Sequence, residues 1–311
     1  MRGLSIISRA ITKNFGMAKS KIQLRERSFN WGERTYLMGV LNVTPDSFSD
    51  GGEFNEPASA LAQAQRLVEA GADIIDIGGQ STRPGAEQIS VEEELNRVLP
   101  VVKALRSVLS VPISVDTTWA SVAQRAVEAG ADMVNDISGG TFDPDMLSVV
   151  AQLGVPIVLM HIRGTPQTMQ QLTEYQDLIG EIYEFLESQI AAAVAAGIER
   201  SHIIIDPGIG FAKTAEQNLE ILRQLPTFGS LGVPILVGVS RKSFIGRILN
   251  QPDPKGRVWG TGAACCGAIA GSADILRVHD VLEMRDVCRV ADAIWRTGIG
   301  LTHSPPNVGG S

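Results

Sequence analysis

Glu69-Ala-Gly-Ala-Asp73 runs straight into the apolar stretch Ile74–Ile77, and the same five letters return at Glu128-Ala-Gly-Ala-Asp132 just before Met133 and Val134. A shortened copy, Gly271-Ser-Ala-Asp274, precedes Ile275–Val278. In each copy a glycine stands where a helix stops and the chain turns back into a strand. Working outward from these points, further short apolar runs occur at Tyr36–Leu41, Ile113–Val115, Ile157–Met160, Ile203–Ile205 and Ile235–Val239. Helical patterns separate them at Pro57–Ala70, Val91–Leu109, Trp119–Ala129, Asp177–Ala196 and Ala215–Leu225. About eight strands alternating with helices predict an α/β fold with a parallel sheet closed on itself, a single-domain (β/α)8 TIM barrel. The repeated Gly and Asp residues are read as structural, on the face opposite the chemistry.

The expected division is an N-terminal extension without order over 1–30, the barrel over 31–303, and a disordered tail over 304–311, read SPPNVGGS. Up to Arg27 the leader carries Arg2, Arg9, Lys13, Lys19, Lys21, Arg25 and Arg27, with Glu26 its one acid. Arg-rich, acid-poor leaders include organelle transit peptides. A plain extension, or a start at Met17, is the reading favoured here, so a cytoplasmic protein is expected and organellar import is left open. Hydrophobic residues make up 44% of the 311, enough for a large core. With 27 basic and 34 acidic residues the net charge is −7, which argues against a general nucleic-acid binder but leaves room for a local phosphate pocket. No apolar run approaches the ~18 residues of a membrane span. Cys265, Cys266 and Cys288 have no metal-ligand spacing and read as small core residues of a reducing compartment.

In a barrel of this kind the C-terminal ends of the strands carry the site. Met38–Gly52, MGVLNVTPDSFSDGG, is a strand that stops at Asn42 and gives way to a polar, turn-rich loop. The residues at the strand ends then run Asn42, Thr82 with Arg83, Asp116, Asn135, Asp206, Lys242, Arg277 and His279. One polar residue after a strand is an ordinary turn former or helix cap. Turns alone do not call for Lys, Arg and His at further strand ends. Arg83, Lys242, Arg277 and His279 suit a phosphate or diphosphate. Arg277 and His279, two apart on a strand, face the same way. Asp116, Asn135 and Asp206 suit a flat heterocycle rich in N–H groups, since a carboxylate accepts two parallel donors at once.

Eight motifs appear together and in order: NVTPDSFSDGG from Asn42, DIGGQSTRPGA from Asp76, SVDTT from Ser114, NDISGG from Asn135, LMHIRGTPQTMQ from Leu159, DPGIGFAK from Asp206, GVSRKSFIG from Gly238 and RVHDV from Arg277. From about Tyr36 to Thr297 the chain resembles the dihydropteroate synthases of folate biosynthesis. One departure is Gln80, where the family often has Glu; a modest effect on loop closure is expected. The resemblance implies condensation of 6-hydroxymethyl-7,8-dihydropterin diphosphate with 4-aminobenzoate to give 7,8-dihydropteroate and diphosphate, a transfer of an alkyl or aryl group other than methyl. It implies that Asp116, Asn135, Asp206 and Lys242 hold the pterin, with Phe211 a further substrate contact. Asn42, Thr82, Arg277 and His279 would surround the diphosphate, and Asn42 would ligate Mg²⁺. The catalytic set carried over is Asn42, Asp116, Lys242, Arg277 and His279. The 4-aminobenzoate would lie between two closing loops, Val43–Phe54 and Gln80–Glu87, against Phe48, Arg83, Pro84 and Lys242, its carboxylate toward a helix N-terminus at Ser243. Sulfonamides would compete there. No nucleic acid or membrane partner is implied. A homodimer is left open, and the small residues of Gly262–Ala273 are a segment that would pack closely on a partner.

Three rivals remain beside this reading. A methyltetrahydrofolate-dependent methyltransferase of the same pterin-binding group would keep Asp116, Asn135 and Asp206 but would need neither Arg277 and His279 nor the first loop. A silent regulatory paralogue should have lost loop or diphosphate residues, which are present here. A phosphate-binding aldolase would need a Schiff-base lysine, for which Lys242 is the one obvious candidate.

Overall fold

In a parallel strand buried on both faces, a period of two decides which side chains face the barrel axis and which face the helices. The structure, a computed structural model, describes residues 19–44 and 56–296. An antiparallel hairpin, β1 (Ile22–Leu24) and β2 (Arg27–Phe29), precedes eight parallel strands. These are β3 (Tyr36–Asn42), β4 (Ile74–Gly78), β5 (Ile113–Asp116), β6 (Met133–Asp136), β7 (Ile157–Met160), β8 (Ile203–Asp206), β9 (Leu236–Val237) and β10 (Ile275–Val278). They lie in the order β8-β7-β6-β5-β4-β3-β10-β9, and a bridge from Ile205 to Ile235 joins the two edges and closes the cylinder. The helices between them are α1 (Glu56–Ala70), α2 (Val91–Arg106), α3 (Ala120–Glu128), α4 (Met146–Leu153), α5 (Leu178–Ala195), α6 (Ala215–Arg223), α7 (Ser243–Leu249), α8 (Val258–Ala270) and α9 (Val281–Trp295). The expected (β/α)8 barrel is therefore the fold, with α7 a short extra helix after β9.

Leu37, Leu41, Ile75, Ile77, Val134, Leu159, Ile205 and Leu276 join the outer core beneath the helices. Tyr36, Met38, Ile74, Met133, Val158, Ile204, Leu236 and Ile275 fill the lower interior. Continuing the inward register upward gives Asn42, Asp76, Gly78, Asp116, Asn135, Asp206, Gly238 and Arg277. An apolar plug at the bottom thus gives way to a polar and glycine-lined mouth, using one strand register throughout.

The extension expected over 1–30 needs correction. Residues 19–30 are part of the fold, and of that extension only 1–18 fall outside the described residues. Ile22, Leu24 and Phe29 are buried against the lower interior, with the Phe29 and Tyr36 rings 4.7 Å apart. The cause is the open bottom of the barrel, which would otherwise leave Tyr36, Met38 and Ile74 to water. The tail 304–311 also lies outside the described residues, as does the barrel's expected end at 303.

The echoed motifs make the bottom face. Asp73, Asp132 and Asp274 accept the backbone N–H of Leu37 (2.9 Å), Ile113 (2.8 Å) and Ile235 (2.9 Å), each at the foot of the neighbouring strand. Each also holds a basic residue of the supposed leader: Asp73 pairs with Arg27, Asp132 with Arg25 at 2.6 Å, and Asp274 with Lys19. Gly71 and Gly130 take φ of 110° and 118°, a conformation closed to other residues. In the third copy the positive φ falls on Ser272 (70°) instead. Gly271 is fixed by space, since a Cβ there would lie 2.8 Å from Leu225 Cβ. Gly130→Ala adds strain of about 1–3 kcal/mol, and its Cβ would meet Arg106 Cγ at 2.6 Å. Denaturant unfolding should show that loss, with activity per folded molecule unchanged.

On the outside, α6, α7 and α8 enclose an apolar groove of about 560 Å³ lined by Leu219, Leu222, Phe244, Ile248, Leu249 and Ala263 among others. The small residues of Gly262–Ala273 serve in part within the chain: Gly262 faces Val287 Cγ2 of α9, which a Cβ would approach to 3.3 Å.

Candidate active site

Arg277, at the end of β10, reaches across the mouth to two carboxylates. Its Nε donates to Asp76 Oδ2 at 2.6 Å and its Nη2 to Asp116 Oδ2 at 2.8 Å. Asn135 Nδ2 donates to the same Asp76 oxygen at 3.1 Å. Gly78 has no side chain to fill this corner; a Cβ there would lie 3.6 Å from Asn42 Oδ1 and 3.7 Å from Asp116 Oδ2. Asn42, Asp116, Asn135 and Arg277, named from four separate motifs, are thus brought together. Burial pushes the Asp116 carboxyl up to about 7, against the pull of Arg277, and the nearby Asp76 charge adds to the rise. Burial would lower the Arg277 pKa, but Asp76 and Asp116 outweigh it and the shift is upward.

Asp206 stands at the end of β8, two strands round the barrel from Arg277. Its Oδ1 accepts the Gly208 N–H at 2.7 Å. Gly208 has φ 75°, and a Cβ there would lie 2.0 Å from the His161 carbonyl oxygen, so no other residue fits. Gly210 likewise clears a path for Lys242, whose Cδ would be 2.9 Å from a Cβ. Lys242 Nζ then lies 4.2 Å above the centre of the Phe211 ring, a cation–π contact. Burial lowers Lys242 to about 8, partly offset by Asp206.

Burial raises Asp206 to about 6, opposed by the Gly208 N–H and then by Lys242 and Lys213. This has two consequences of opposite sign. The ionised form is the acceptor for N–H donors, so pterin affinity should fall as pH drops below about 6. The empty fold gains from the same protonation, because a carboxyl raised above its unfolded value is stabilising at low pH and loses that contribution as pH rises through about 6. Calorimetric affinity, and the stability of the wild type relative to Asp206→Asn in thermal unfolding of the empty proteins, should therefore trend in opposite directions between pH 5 and pH 7.

His279, counted from sequence among the groups that suit a phosphate, is not a cation while the site is empty. Its ring is buried next to Arg277, and burial first, then that charge, push its pKa down to about 3. It is a neutral imidazole in the empty site. Nδ1 lies 3.0 Å from Ser240 Oγ, which also accepts the His279 backbone N–H at 3.1 Å. The neighbouring Arg241 pairs with Asp280 at 2.5 Å. Lys242 precedes α7, Ser243 is its exposed first residue, and Lys242 makes no side-chain cap bond there.

The second loop is half in place. Gln80 Oε1 accepts the Ile89 N–H at 3.2 Å, tying the loop's two ends, and a carboxylate oxygen would accept the same bond. Gly85 N–H donates to the Pro166 carbonyl at 2.9 Å. Thr82 is half-buried and faces a cleft shared with Asp116, Thr117, Phe142 and Pro166, while Arg83 and Pro84 are exposed. Phe48 and residues 45–54 of the first loop lie outside the described residues.

Four residues were not singled out from sequence. Asp76 is fully buried beneath the mouth. Glu94 of α2 is buried beside the cleft, where burial raises it to about 7 against a hydrogen bond from Thr117. Lys213 Nζ donates to the Phe211 carbonyl at 2.8 Å and lies 3.0 Å from His161 Nδ1. Burial lowers Lys213 to about 7, and burial, then the Lys213 charge, hold His161 far below its usual value. Asp76, His161 and Lys213 sit inside the quoted motifs, but nothing in their local pattern separates them from turn formers. Among the described residues no group of three His, Cys, Asp or Glu side chains is arranged to hold a metal.

The family model described as pterin binding enzyme matches residues 38–279. The chain belongs to the dihydropteroate synthase family of pterin-binding enzymes. It is 65% identical over 268 residues to dihydropteroate synthase of Synechocystis, covering 86% of this chain and 93% of that one. A Clostridium difficile dihydropteroate synthase crystallised in the presence of pteroic acid superposes with TM-score 0.82 at 46% identity, covering 86% and 99% of the two chains. The Xanthomonas albilineans dihydropteroate synthase with 4-aminobenzoic acid gives 0.83 at 43%, covering 89% and 98%. In this family member the matched segment begins at Met38 and ends at His279, so it contains the C-terminal end of each of the eight barrel strands.

Proposed function

We infer that this chain condenses 6-hydroxymethyl-7,8-dihydropterin diphosphate with 4-aminobenzoate, releasing diphosphate and forming 7,8-dihydropteroate. The observation that carries the reading is the two-sided mouth: buried acceptors Asp116, Asn135 and Asp206 with the cations Lys242 and Arg277 among them. The relatives crystallised with pteroic acid and with 4-aminobenzoic acid support it, since those ligands are a product-like molecule and one substrate. A methyltransferase reading leaves the cationic side of the mouth without a ligand.

Asp206 and Asp116 take the N–H donors of the pterin, and Lys242 stands over Phe211 at the edge of the ring. Arg277 faces the diphosphate. The carbon–oxygen bond to diphosphate breaks with its electron pair on the leaving oxygen. The positive charge left on the pterin methylene is shared with the electron-rich ring and stabilised by the two carboxylates. The aryl amine attacks this carbon and then loses a proton to water, so no protein base or nucleophile is required. His279, neutral when the site is empty, gains a proton readily once diphosphate lies beside it, because an adjacent anion favours the charged form.

Mg²⁺ belongs to this reading. Asn42 is half-buried with its Oδ1 directed to the same corner as Asp116. One neutral oxygen suits an ion held mainly by diphosphate oxygens and water. Such an ion would neutralise charge on the leaving group. Mg²⁺ should bind the protein alone weakly and tighten with diphosphate present; calorimetry showing tight stoichiometric Mg²⁺ without diphosphate would remove Asn42 from this role. A cytoplasmic enzyme is part of this reading, with organellar import left open; the three free cysteines suit a reducing compartment of either kind. No helix among the described residues is long and apolar enough to cross a membrane. The deciding experiment is a coupled assay for diphosphate release, which should require both the pterin diphosphate and 4-aminobenzoate.

A further inference from the structure

We infer that Asp76 is a positioning residue that joins the pterin and diphosphate halves of the mouth through one shared carboxylate oxygen. The inference rests on the synthase reading and deepens it. Asp76 is on β4, one inward position below Gly78, and is fully buried. Its Oδ2 accepts from Arg277 Nε at 2.6 Å and from Asn135 Nδ2 at 3.1 Å. Its Oδ1 has no hydrogen-bond partner among the described residues.

Two consequences follow from donor chemistry. A carboxylate only accepts, so the NH₂ end of Asn135 must face Asp76 and its carbonyl oxygen must face away. Asn135 therefore offers an acceptor to a ligand's N–H. Arg277 uses Nε on Asp76 and one Nη2 hydrogen on Asp116, which sets the plane of its guanidinium. The N–H groups left over point in directions those two carboxylates fix. A lysine has no such fork and could not be aimed this way.

Coulomb attraction gives the opposite sign, and this makes the inference testable. If Asp76 were only a counter-charge, removing it would leave the mouth more cationic and diphosphate would bind more tightly. If Asp76 aims Arg277, removing it weakens diphosphate binding. The probes are inorganic diphosphate with Mg²⁺, and 6-hydroxymethylpterin, titrated by calorimetry into the full chain. Asp76→Leu keeps the count and branching of side-chain heavy atoms, with two larger methyl groups in place of the oxygens, and removes both acceptor contacts. We expect tenfold or greater weakening of both probes. Asp76→Asn keeps an accepting oxygen and should bring pterin affinity back to within threefold of wild type. Arg277→Lys, which leaves Asp76 in place, should bind diphosphate as weakly as Arg277→Ala. Diphosphate bound by Asp76→Leu as tightly as by wild type, or more tightly, would overturn the inference, as would an Asn variant no better than Leu. If Asp76→Leu does not fold, the Arg277→Lys arm decides: affinity within threefold of wild type rejects the aiming role. Failure of the wild type to bind either probe would instead reject the synthase reading.

Discussion

Asp206→Asn is expected to weaken pterin binding about a hundredfold, the size of a mispaired, buried, charge-assisted contact of roughly 3 kcal/mol. The geometry makes the direction definite. Asp206 Oδ1 is already engaged by the Gly208 N–H at 2.7 Å. An asparagine keeps that bond with its carbonyl oxygen, which turns its NH₂ group toward the ligand. A donor then meets the pterin's donors. The fold should not suffer, because burial already makes ionisation of Asp206 unfavourable and raises it to about 6. The variant should melt at or above the wild-type temperature while calorimetry with hydroxymethylpterin shows the loss. This is the usual exchange at a functional site, where a group retained for binding is a burden on the empty fold. Pterin affinity within threefold of wild type would take Asp206 out of the site.

The echo at Glu69 and Glu128 made the architecture legible, because a glycine that ends a helix and an aspartate that starts a strand repeat with the barrel's own period. Its full role was not legible. Asp73, Asp132 and Asp274 each bind the foot of a neighbouring strand and a basic residue from the first 27 positions. Those basic residues resemble a leader as a string, since the aspartates they meet lie tens to hundreds of positions away. At the mouth, a polar residue at each strand end could be read directly. The charge state of His279 could not, because its neutrality depends on burial and on Arg277 arriving beside it. Asp76 was hidden for a related reason. It precedes Ile77 within an apolar strand and looks like part of the turn chemistry, and only closure of the barrel brings Arg277 of β10 and Asn135 of β6 onto its one oxygen.

That closure also changes what Arg277→Ala should do. Read as a diphosphate ligand alone, Arg277 would affect the diphosphate-bearing substrate and spare free hydroxymethylpterin. The guanidinium is bonded at 2.8 Å to Asp116, an acceptor on the pterin side, and at 2.6 Å to Asp76. Without it two buried carboxylates lose their counter-charge. Removing one partner of a buried ion pair costs about 3–5 kcal/mol in fold stability, because the remaining charge is left uncompensated. Asp116 relieves part of that strain by taking up a proton: it stands at about 7 even with Arg277 as its chief opposing influence. A protonated Asp116 no longer accepts two N–H donors, so hydroxymethylpterin should weaken at neutral pH and recover part of its affinity at higher pH. Diphosphate binding should be lost at every pH. His279→Ala is the contrasting case. Its ring is neutral in the empty site, where its hydrogen-bond partner is Ser240. It should weaken diphosphate about tenfold, the worth of one hydrogen bond to a charged group, and leave hydroxymethylpterin within twofold. Titration of both variants with both ligands at pH 7 and pH 8.5 separates the cases. Equal pterin affinity in Arg277→Ala and wild type at pH 7 would show that the two halves of the mouth act independently, and that the carboxylate network does not join them.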